Sequence, residues 1–455
     1  MNLPEGGRVH FIGIGGAGMS AIAKVMLERG IPISGSDLKR SRAATVLEAM
    51  GADVHVDGHD ADSVRRGDVV VVSSAIPEDN PELVRARELG CEVVARGEAL
   101  ASLLETSDAI VVAGTHGKTT TTSMIASVLR HSGVDPTYLI GGGLNESGTN
   151  ARHGRGRYAV AESDESDGSF LLLAPFIGVV TNVEVDHHDR YASLDDVRAA
   201  FASFVGACSP SGAFVLPAGD AELGATARCR IVTFGESGDV HGSVVSFAAS
   251  HTDLRLRLGT ADLPVRLPVP GDHNVANALA AAAACWCAGV PADEIASGLE
   301  LFRGVERRFQ VRGTAAGVTV VDDYAHHPTE VKAILATARA GGARRVVAVF
   351  QPHRYSRTAA LHADFGASFG DADRIVLTDI YGAGEPPVPG VNGKLVADAV
   401  SERLPGRPVA YLPHRADLVS YLLSAVRPGD MVLTMGAGDI TAVGEELLGR
   451  LGGGR

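Results

Sequence analysis

Gly114-Thr115-His116-Gly117-Lys118-Thr119-Thr120 is the stretch of this chain with the most chemistry in it. Glycines let backbone N–H groups turn inward on a polyphosphate. The start of a helix adds partial positive charge, Lys118 supplies a full one, and Thr119 offers a hydroxyl to Mg²⁺. The commoner phosphate loop has a glycine where Val112 stands here, so this is the shortened GTxGKT form led by Gly114. A second glycine turn, Gly13-Ile14-Gly15-Gly16-Ala17-Gly18, matches G-x-G-x-x-G, and Asp37 follows at a distance suited to a ribose or base. On spacing alone its diphosphate belongs either to NAD or to a nucleotide-sugar. Two such turns call for two phosphorylated ligands, unless one of them is decoration.

Acids and imidazoles stand close to both. Glu162-Ser163-Asp164-Glu165-Ser166-Asp167 packs four carboxylates into six residues, which is costly unless they are solvated or neutralised by a cation. Thr181-Asn182-Val183-Glu184-Val185-Asp186-His187-His188-Asp189 and Ser73-Ser74-Ala75-Ile76 follow apolar runs, at the strand ends where parallel sheets bind ligands. Gly271-Asp272-His273-Asn274 opens an apolar helix, and Asp272 or Asn274 could simply cap it. Further on, Asp322-Asp323-Tyr324-Ala325-His326-His327 and Gln351-Pro352-His353-Arg354-Tyr355-Ser356-Arg357 also end apolar runs. Arg354 and Arg357, one helical turn apart, make a fork suited to a carboxylate or phosphate.

The elements needed to hold these groups are legible as apolar runs. Arg8–Ile14, Ile31–Ser36, Val69–Val72, Ala109–Ala113, Tyr158–Ala161 and Ile177–Val180 read as buried strands, with helical patterns between them. Gly212–Leu216, Arg230–Phe234 and the alternating Leu254–Leu258 read as strands of an antiparallel part closed by the turn at Gly271. Val318–Val321, Arg345–Phe350, Arg374–Leu377, Val409–Leu412 and Met431–Met435 form a second doubly wound unit. Length and composition breaks give three α/β domains, at 1–106, 107–311 and 312–455. The first is Rossmann-like, the second a P-loop ATPase with a mixed sheet, and the third Rossmann-like and doubly wound.

The net charge is −13 with no basic stripe, which argues against nucleic acid. The five cysteines have no zinc spacing, and their odd number argues against a disulfide framework. Ala276–Val290 is too short and alanine-rich for a membrane span, and the first residues run almost at once into a strand, with no signal peptide. A cytoplasmic protein without membrane insertion is expected.

GIGGAGMSAIA, SSAI, GTHGKTTT, AESDESDGSF, TNVEVDH, GDHNVANALAA, GVERRFQ, VDDYAHHPTE and QPHRYSR occur in this order. Together they closely resemble the Mur ligases of peptidoglycan synthesis, over nearly the whole chain. The resemblance implies ATP-dependent joining of an amino acid to a UDP-sugar: here L-alanine to the lactyl carboxylate of UDP-N-acetylmuramate, through an acyl phosphate. It assigns Gly13, Gly15, Gly16, Ala17, Gly18, Asp37, Ser73 and Ser74 to the UDP-sugar. To ATP it assigns Gly114, Thr115, His116, Gly117, Lys118, Thr119, Thr120, Asn274, Arg308 and Asp323. Thr119, Glu162 and His187 would hold Mg²⁺ or Mn²⁺, with Lys118, Glu162 and His187 as the catalytic group. His326, His353, Arg354 and Arg357 would surround the alanine and the lactyl carboxylate. Several later Mur ligases carry a CO₂-modified lysine at the place occupied here by Phe201, which leaves the ligands of a second metal undefined. A monomer or weak homodimer is expected. The competing readings are a murein tripeptide recycling ligase on the same sugar, an NAD-dependent oxidoreductase and a nucleotide-binding regulator without turnover.

Overall fold

Runs of valine, isoleucine and alanine bury both faces of a parallel strand, and such runs set the architecture. The structure is a computed structural model that describes residues 7–146, 148–185, 190–191 and 193–453.

In the N-terminal segment β1 (Val9–Ile12), α1 (Ala17–Glu28), β2 (Ile33–Asp37), α2 (Arg42–Ala49) and β3 (Asp53–Val56) are followed by β4 (Val69–Val72), α3 (Pro81–Leu89), β5 (Glu92–Ala95) and α4 (Arg96–Leu104). The sheet is parallel, in the order β3-β2-β1-β4-β5. Chain order reverses between β1 and β4, so a crevice opens beyond their carboxyl ends, where Gly13 and Ser73 begin.

The central segment contributes β6 (Asp108–Ala113), α5 (Lys118–His131), β7 (Thr137–Leu139), β8 (Ala151–Arg152), β9 (Tyr158–Glu162), β10 (Ile177–Val180) and α6 (Leu194–Gly206). It continues through β11 (Ala213–Pro217), β12 (Arg230–Phe234), β13 (Val240–Ala248), β14 (His251–Leu258), β15 (Ala261–Leu267), α7 (Asp272–Cys287) and α8 (Ala292–Glu300). The sheet runs β15-β14-β13-β12-β11-β10-β6-β9-β7-β8 and is mixed, because β8 pairs antiparallel with β7. The expected antiparallel part needs correction: β11 and β12 pair in parallel with each other, β11 with β10, and β12 with β13. The chain returns through α6 and through a 3-10 segment, Ala218–Thr226, and such crossovers keep successive strands parallel. Phe201 of α6 is fully buried against Phe170, with ring centroids 5.3 Å apart.

The C-terminal segment consists of β16 (Gln310–Ala315), β17 (Val318–Asp323), α9 (Pro328–Ala340), β18 (Arg345–Phe350), α10 (Tyr355–Ser368), β19 (Arg374–Leu377), α11 (Lys394–Arg403), β20 (Val409–Tyr411), α12 (Arg415–Ala425), β21 (Asp430–Met435) and α13 (Thr441–Gly452). The order is β16-β17-β21-β18-β19-β20, parallel except for β16 at one edge. Asp323, Phe350, Leu377 and Met435 are in register, so the polar turns after these strands share one sheet edge.

Contacts divide the chain into two compact units. Met1–Gly242, Leu256–Leu263 and Ala276–Phe302 form one; Ser243–Arg255, Pro264–Val275 and Arg303–Arg455 form the other. Within the first, the N-terminal and central sheets share one hydrophobic cluster running from Val9 to Leu223. Arg96 and Asp167 join them at 2.6 Å, and Asn150 Nδ2 donates to Ala17 O at 3.1 Å. Among the described residues no helix is long and apolar enough to cross a membrane; Ala276–Cys287 lies in α7, whose alanine face is buried core.

Candidate active site

The first glycine turn is built by backbone before any ligand is considered. Gly13 and Ile14 both donate to Ser36 O, at 2.8 and 2.9 Å, which bends the chain over the end of β2. Asp37 locks that bend: Oδ2 accepts from Gly15 N at 2.8 Å and Oδ1 from Lys39 N at 3.2 Å. Spacing places Asp37 near a ribose or base. In the structure one of its oxygens already belongs to the turn.

A cavity of about 530 Å³ opens from this turn. Gly13, Gly16, Ala17, Gly18, Asp37 and Ser73 line one part of it, and Lys118, Glu162, Ser163 and Asp164 line another. Gly15 and Ser74 are not among its walls. Residues of the first turn and Lys118, which follows the second, therefore line one chamber inside one compact unit.

The second turn is held by the end of β10. Asn182 Oδ1 accepts from His116 N at 2.9 Å, while Thr181 Oγ1 and Asn182 Nδ2 donate to His116 O at 2.6 and 2.9 Å. Thr115 Oγ1 donates to Glu184 O at 3.2 Å. Two positions in the loop admit only glycine. A Cβ on Gly114, at φ +133°, would lie 2.1 Å from Thr181 Oγ1, and one on Gly117, at φ +79°, 2.2 Å from Asn277 Oδ1. Thr119 and Thr120 lie in the first turn of α5, where backbone N–H groups have no helical partner. Thr122 and Ser123 return their hydroxyls to Lys118 O and Thr119 O, which satisfies the buried polar start of this helix.

Lys118 folds back over its own loop. Nζ donates to Gly114 O at 2.6 Å, Thr115 O at 3.2 Å and Glu165 Oε2 at 2.8 Å, and lies 3.7 Å from Asp164. Burial alone would pull the ammonium down, but Glu165 and Asp164 beside it hold it above its ordinary value. Burial pushes the Glu165 carboxyl up to about 7, with Lys118 opposing and the Asp164 charge reinforcing the shift. Glu165, Asn182 and Asn277 pack against this loop and its lysine, and motif spacing does not single them out. For Glu165 the signal is there in the acidic cluster, where one carboxylate out of four is buried beside a lysine. Glu162 sits at the cavity wall at the end of β9. His187 lies outside the described residues.

A separate polar cluster occupies the carboxyl edge of the C-terminal sheet. Arg307 and Phe309 take left-handed backbone at φ +57° and +45°, and Arg308 between them sits over the Tyr324 ring at 5.2 Å. Asp323 pins this turn, accepting from Phe309 N and Ala325 N, each at 2.7 Å. Burial raises its carboxyl to about 6 against the pull of Arg308. His326 Nδ1 lies 2.9 Å from Tyr324 O and must be the donor, because a carbonyl only accepts. The His326 and His353 rings meet edge to face at 5.7 Å, and His353 stacks on Tyr381 at 5.9 Å. Burial pushes His326 down to about 4 and His353 to about 3. Both rings are thus neutral near pH 7, and so poor bases for an alkylammonium proton. Arg357 is buried with Nη1 3.4 Å from His353 Nδ1. The expected helical fork needs correction: Arg354 is the N-cap residue of α10 at φ +69°, outside the helix that carries Arg357. Asn274 is buried and donates through Nδ2 to Pro270 O at 2.7 Å.

Residues 8–107 match the model described as Mur ligase family, catalytic domain, 112–285 the Mur ligase middle domain, and 307–438 the Mur ligase, glutamate ligase domain. A UDP-N-acetylmuramate–L-alanine ligase of Rubrobacter xylanophilus is 50% identical over 98% of this chain and 100% of its own. One from Mycolicibacterium smegmatis is 47% identical over 98% and 96%. The crystal structure of a UDP-N-acetylmuramate–alanine ligase from Thermotoga maritima superposes with a TM-score of 0.83 at 31% identity, covering 97% of this chain and 98% of that one. A murein peptide ligase from Psychrobacter arcticus shares the fold, with a TM-score of 0.73 at 24% identity. The three consecutive matches from residue 8 to residue 438 give the assignment, a ligase family rather than an oxidoreductase one: the chain belongs to the Mur ligase family.

Proposed function

We propose that this enzyme ligates L-alanine to the lactyl carboxylate of UDP-N-acetylmuramate, consuming ATP and releasing ADP and phosphate, in cytoplasmic peptidoglycan precursor synthesis. The observation that carries this is the shared cavity: the Gly13–Gly18 turn and Lys118 line one chamber, so a sugar-borne carboxylate and a γ-phosphate can meet there. The alanine ligases are preferred to the murein peptide ligase because relatives at 45–50% identity carry the former name. We place the domains at 1–106, 107–311 and 312–455, acting as a monomer or weak homodimer.

A carboxylate is a poor acyl donor. Transfer of the γ-phosphoryl group to it gives an acyl phosphate, and the neutral amine of alanine then displaces phosphate through a tetrahedral intermediate. Catalysis is positioning and charge neutralisation. Lys118 exchanges Glu165 and two loop carbonyls for phosphate oxygens, and the N–H groups at the start of α5 face the same charge. Asn274, Arg308 and Asp323 are assigned to the nucleotide, and His326, His353, Arg354 and Arg357 to alanine and the lactyl carboxylate.

The donor set fits Mg²⁺. Carboxylates and hydroxyls are the hard oxygen ligands this ion takes, and Ser163 Oγ is buried at the cavity wall without a partner among the described residues. Thr119 and Glu162, with His187, would hold it. When bound, Mg²⁺ neutralises charge on the phosphates. Activity is expected to require Mg²⁺ or Mn²⁺, and Glu162→Ala to raise the metal concentration giving half-maximal rate. An unchanged metal titration would remove Glu162 from the site.

Alanine recognition is assigned above all to Arg357, whose guanidinium can take a carboxylate bidentately where lysine cannot. Arg357→Ala and Arg357→Lys are expected to cost about 2–4 kcal/mol of alanine binding, seen as a raised KM for alanine with that for ATP nearly unchanged. Acyl phosphate trapped by hydroxylamine should persist. Loss of the trapped product at unchanged alanine KM would move Arg357 to the phosphoryl-transfer step.

The function itself is tested by screening amino acids for stimulated ADP release in the presence of UDP-N-acetylmuramate. L-alanine should stimulate most; stimulation by a murein tripeptide instead would favour the recycling ligase.

A further inference from the structure

A buried carboxylate bonds to the side chain of Ser36, whose carbonyl holds the first glycine turn. Glu82, in the first turn of α3, is fully buried. Its Oε2 accepts from Ser36 Oγ at 2.5 Å and lies 3.3 Å from His10 Nε2, while Oε1 accepts from Asp60 N at 3.1 Å. Burial opposes its ionisation, but the hydrogen bonds from His10, Ser36 and Asp60 hold the carboxyl below its ordinary range.

The proton positions follow from valence. An ionised carboxylate only accepts, so the single Ser36 hydroxyl proton points at Glu82. Ser36 Oγ also lies 2.8 Å from His59 Nδ1, and with its own proton engaged it can only accept there. His59 Nδ1 therefore carries a proton, and in the neutral ring Nε2 carries the lone pair. His59 lines the cavity together with Asp37 and the Gly13–Gly18 turn. The Asp60 N–H bond fixes the backbone next to it from the same carboxylate.

We propose that Glu82 is a positioning residue for nucleotide recognition: through Ser36 it sets the proton on His59 Nδ1, so that Nε2 meets the cavity as an acceptor for the ring N–H of a uracil-type base. A base whose ring nitrogen bears a lone pair instead, as in cytosine, would meet acceptor against acceptor. This rests on the UDP-sugar lying on the Gly13–Gly18 turn.

The test uses the full-length enzyme, Glu82→Gln and Ser36→Ala, with calorimetric titration of UDP, N3-methylated UDP and ATP. Nitrogen NMR of isotope-labelled histidine reads the His59 tautomer. The parent should bind UDP about tenfold more tightly than its N3-methylated form, the worth of one hydrogen bond left unmade. Both variants should lose most of that preference, the His59 proton should leave Nδ1, and ATP binding should stay constant. Ser36→Ala breaks the relay while Glu82 keeps its charge and its bonds from His10 and Asp60, so the test survives if Glu82→Gln folds poorly. A parent that does not discriminate, or variants that bind both uridine ligands more weakly by the same factor, would overturn the proposal and reduce Glu82 to a structural role. Undiminished UDP binding by Gly15→Val would instead show that the nucleotide lies elsewhere, and the inference would fall with that placement.

Discussion

Lys118→Ala is expected to lower turnover by several orders of magnitude while UDP-sugar binding persists. The side chain is the one cation that the P-loop itself supplies, and the loss of a single preorganised electrostatic partner already costs about a hundred- to a thousandfold in comparable sites. The structure adds a complication that the sequence does not show. Removing the ammonium leaves Glu165 buried without the partner 2.8 Å away, so the variant should also lose stability. The double variant Lys118→Ala/Glu165→Gln separates the two effects: it should regain melting temperature without regaining turnover. Turnover of Lys118→Ala within about tenfold of the parent would take this residue out of the mechanism.

Gly15→Val is expected to abolish UDP-sugar binding with ATP binding retained. Close approach of a diphosphate to the backbone is one reason. The other is internal: a Cβ there would stand 2.6 Å from Ser41 Oγ and 2.8 Å from Asp37 Oδ2, the groups that hold the turn closed. Even Gly15→Ala should therefore weaken UDP-sugar binding, and calorimetry on both variants reads the effect. Full affinity in Gly15→Val would move the sugar nucleotide away from this turn.

Continuous apolar runs made much of the fold legible. Val69–Val72, Ile177–Val180, Arg345–Phe350 and Arg374–Leu377 are strands with the bounds expected, because burial on both faces leaves little but valine, isoleucine and their like. Asp53–Val56, Glu92–Ala95 and Gln310–Ala315 are not legible that way. They are sheet-edge strands, partly exposed, and their pairing comes from the neighbour rather than from their own composition. The phosphate-binding turns are local, so spacing reveals them. Asn277 beside Gly117, Glu82 behind His59, and His326 against His353 are long-range meetings that only the packed sheets create. Arg354 shows the reverse: helical spacing suggests a shared face with Arg357, and a left-handed cap takes it out of the helix.

Phe201 bears on the conditions under which this enzyme works. A phenyl ring packed on Phe170 has no amine, so no carbamate can form or be lost at this position. Relatives of the kind that carry a modified lysine there depend on an adduct in equilibrium with dissolved gas. Here that dependence is absent at this position: degassing the buffer or adding bicarbonate changes nothing at residue 201.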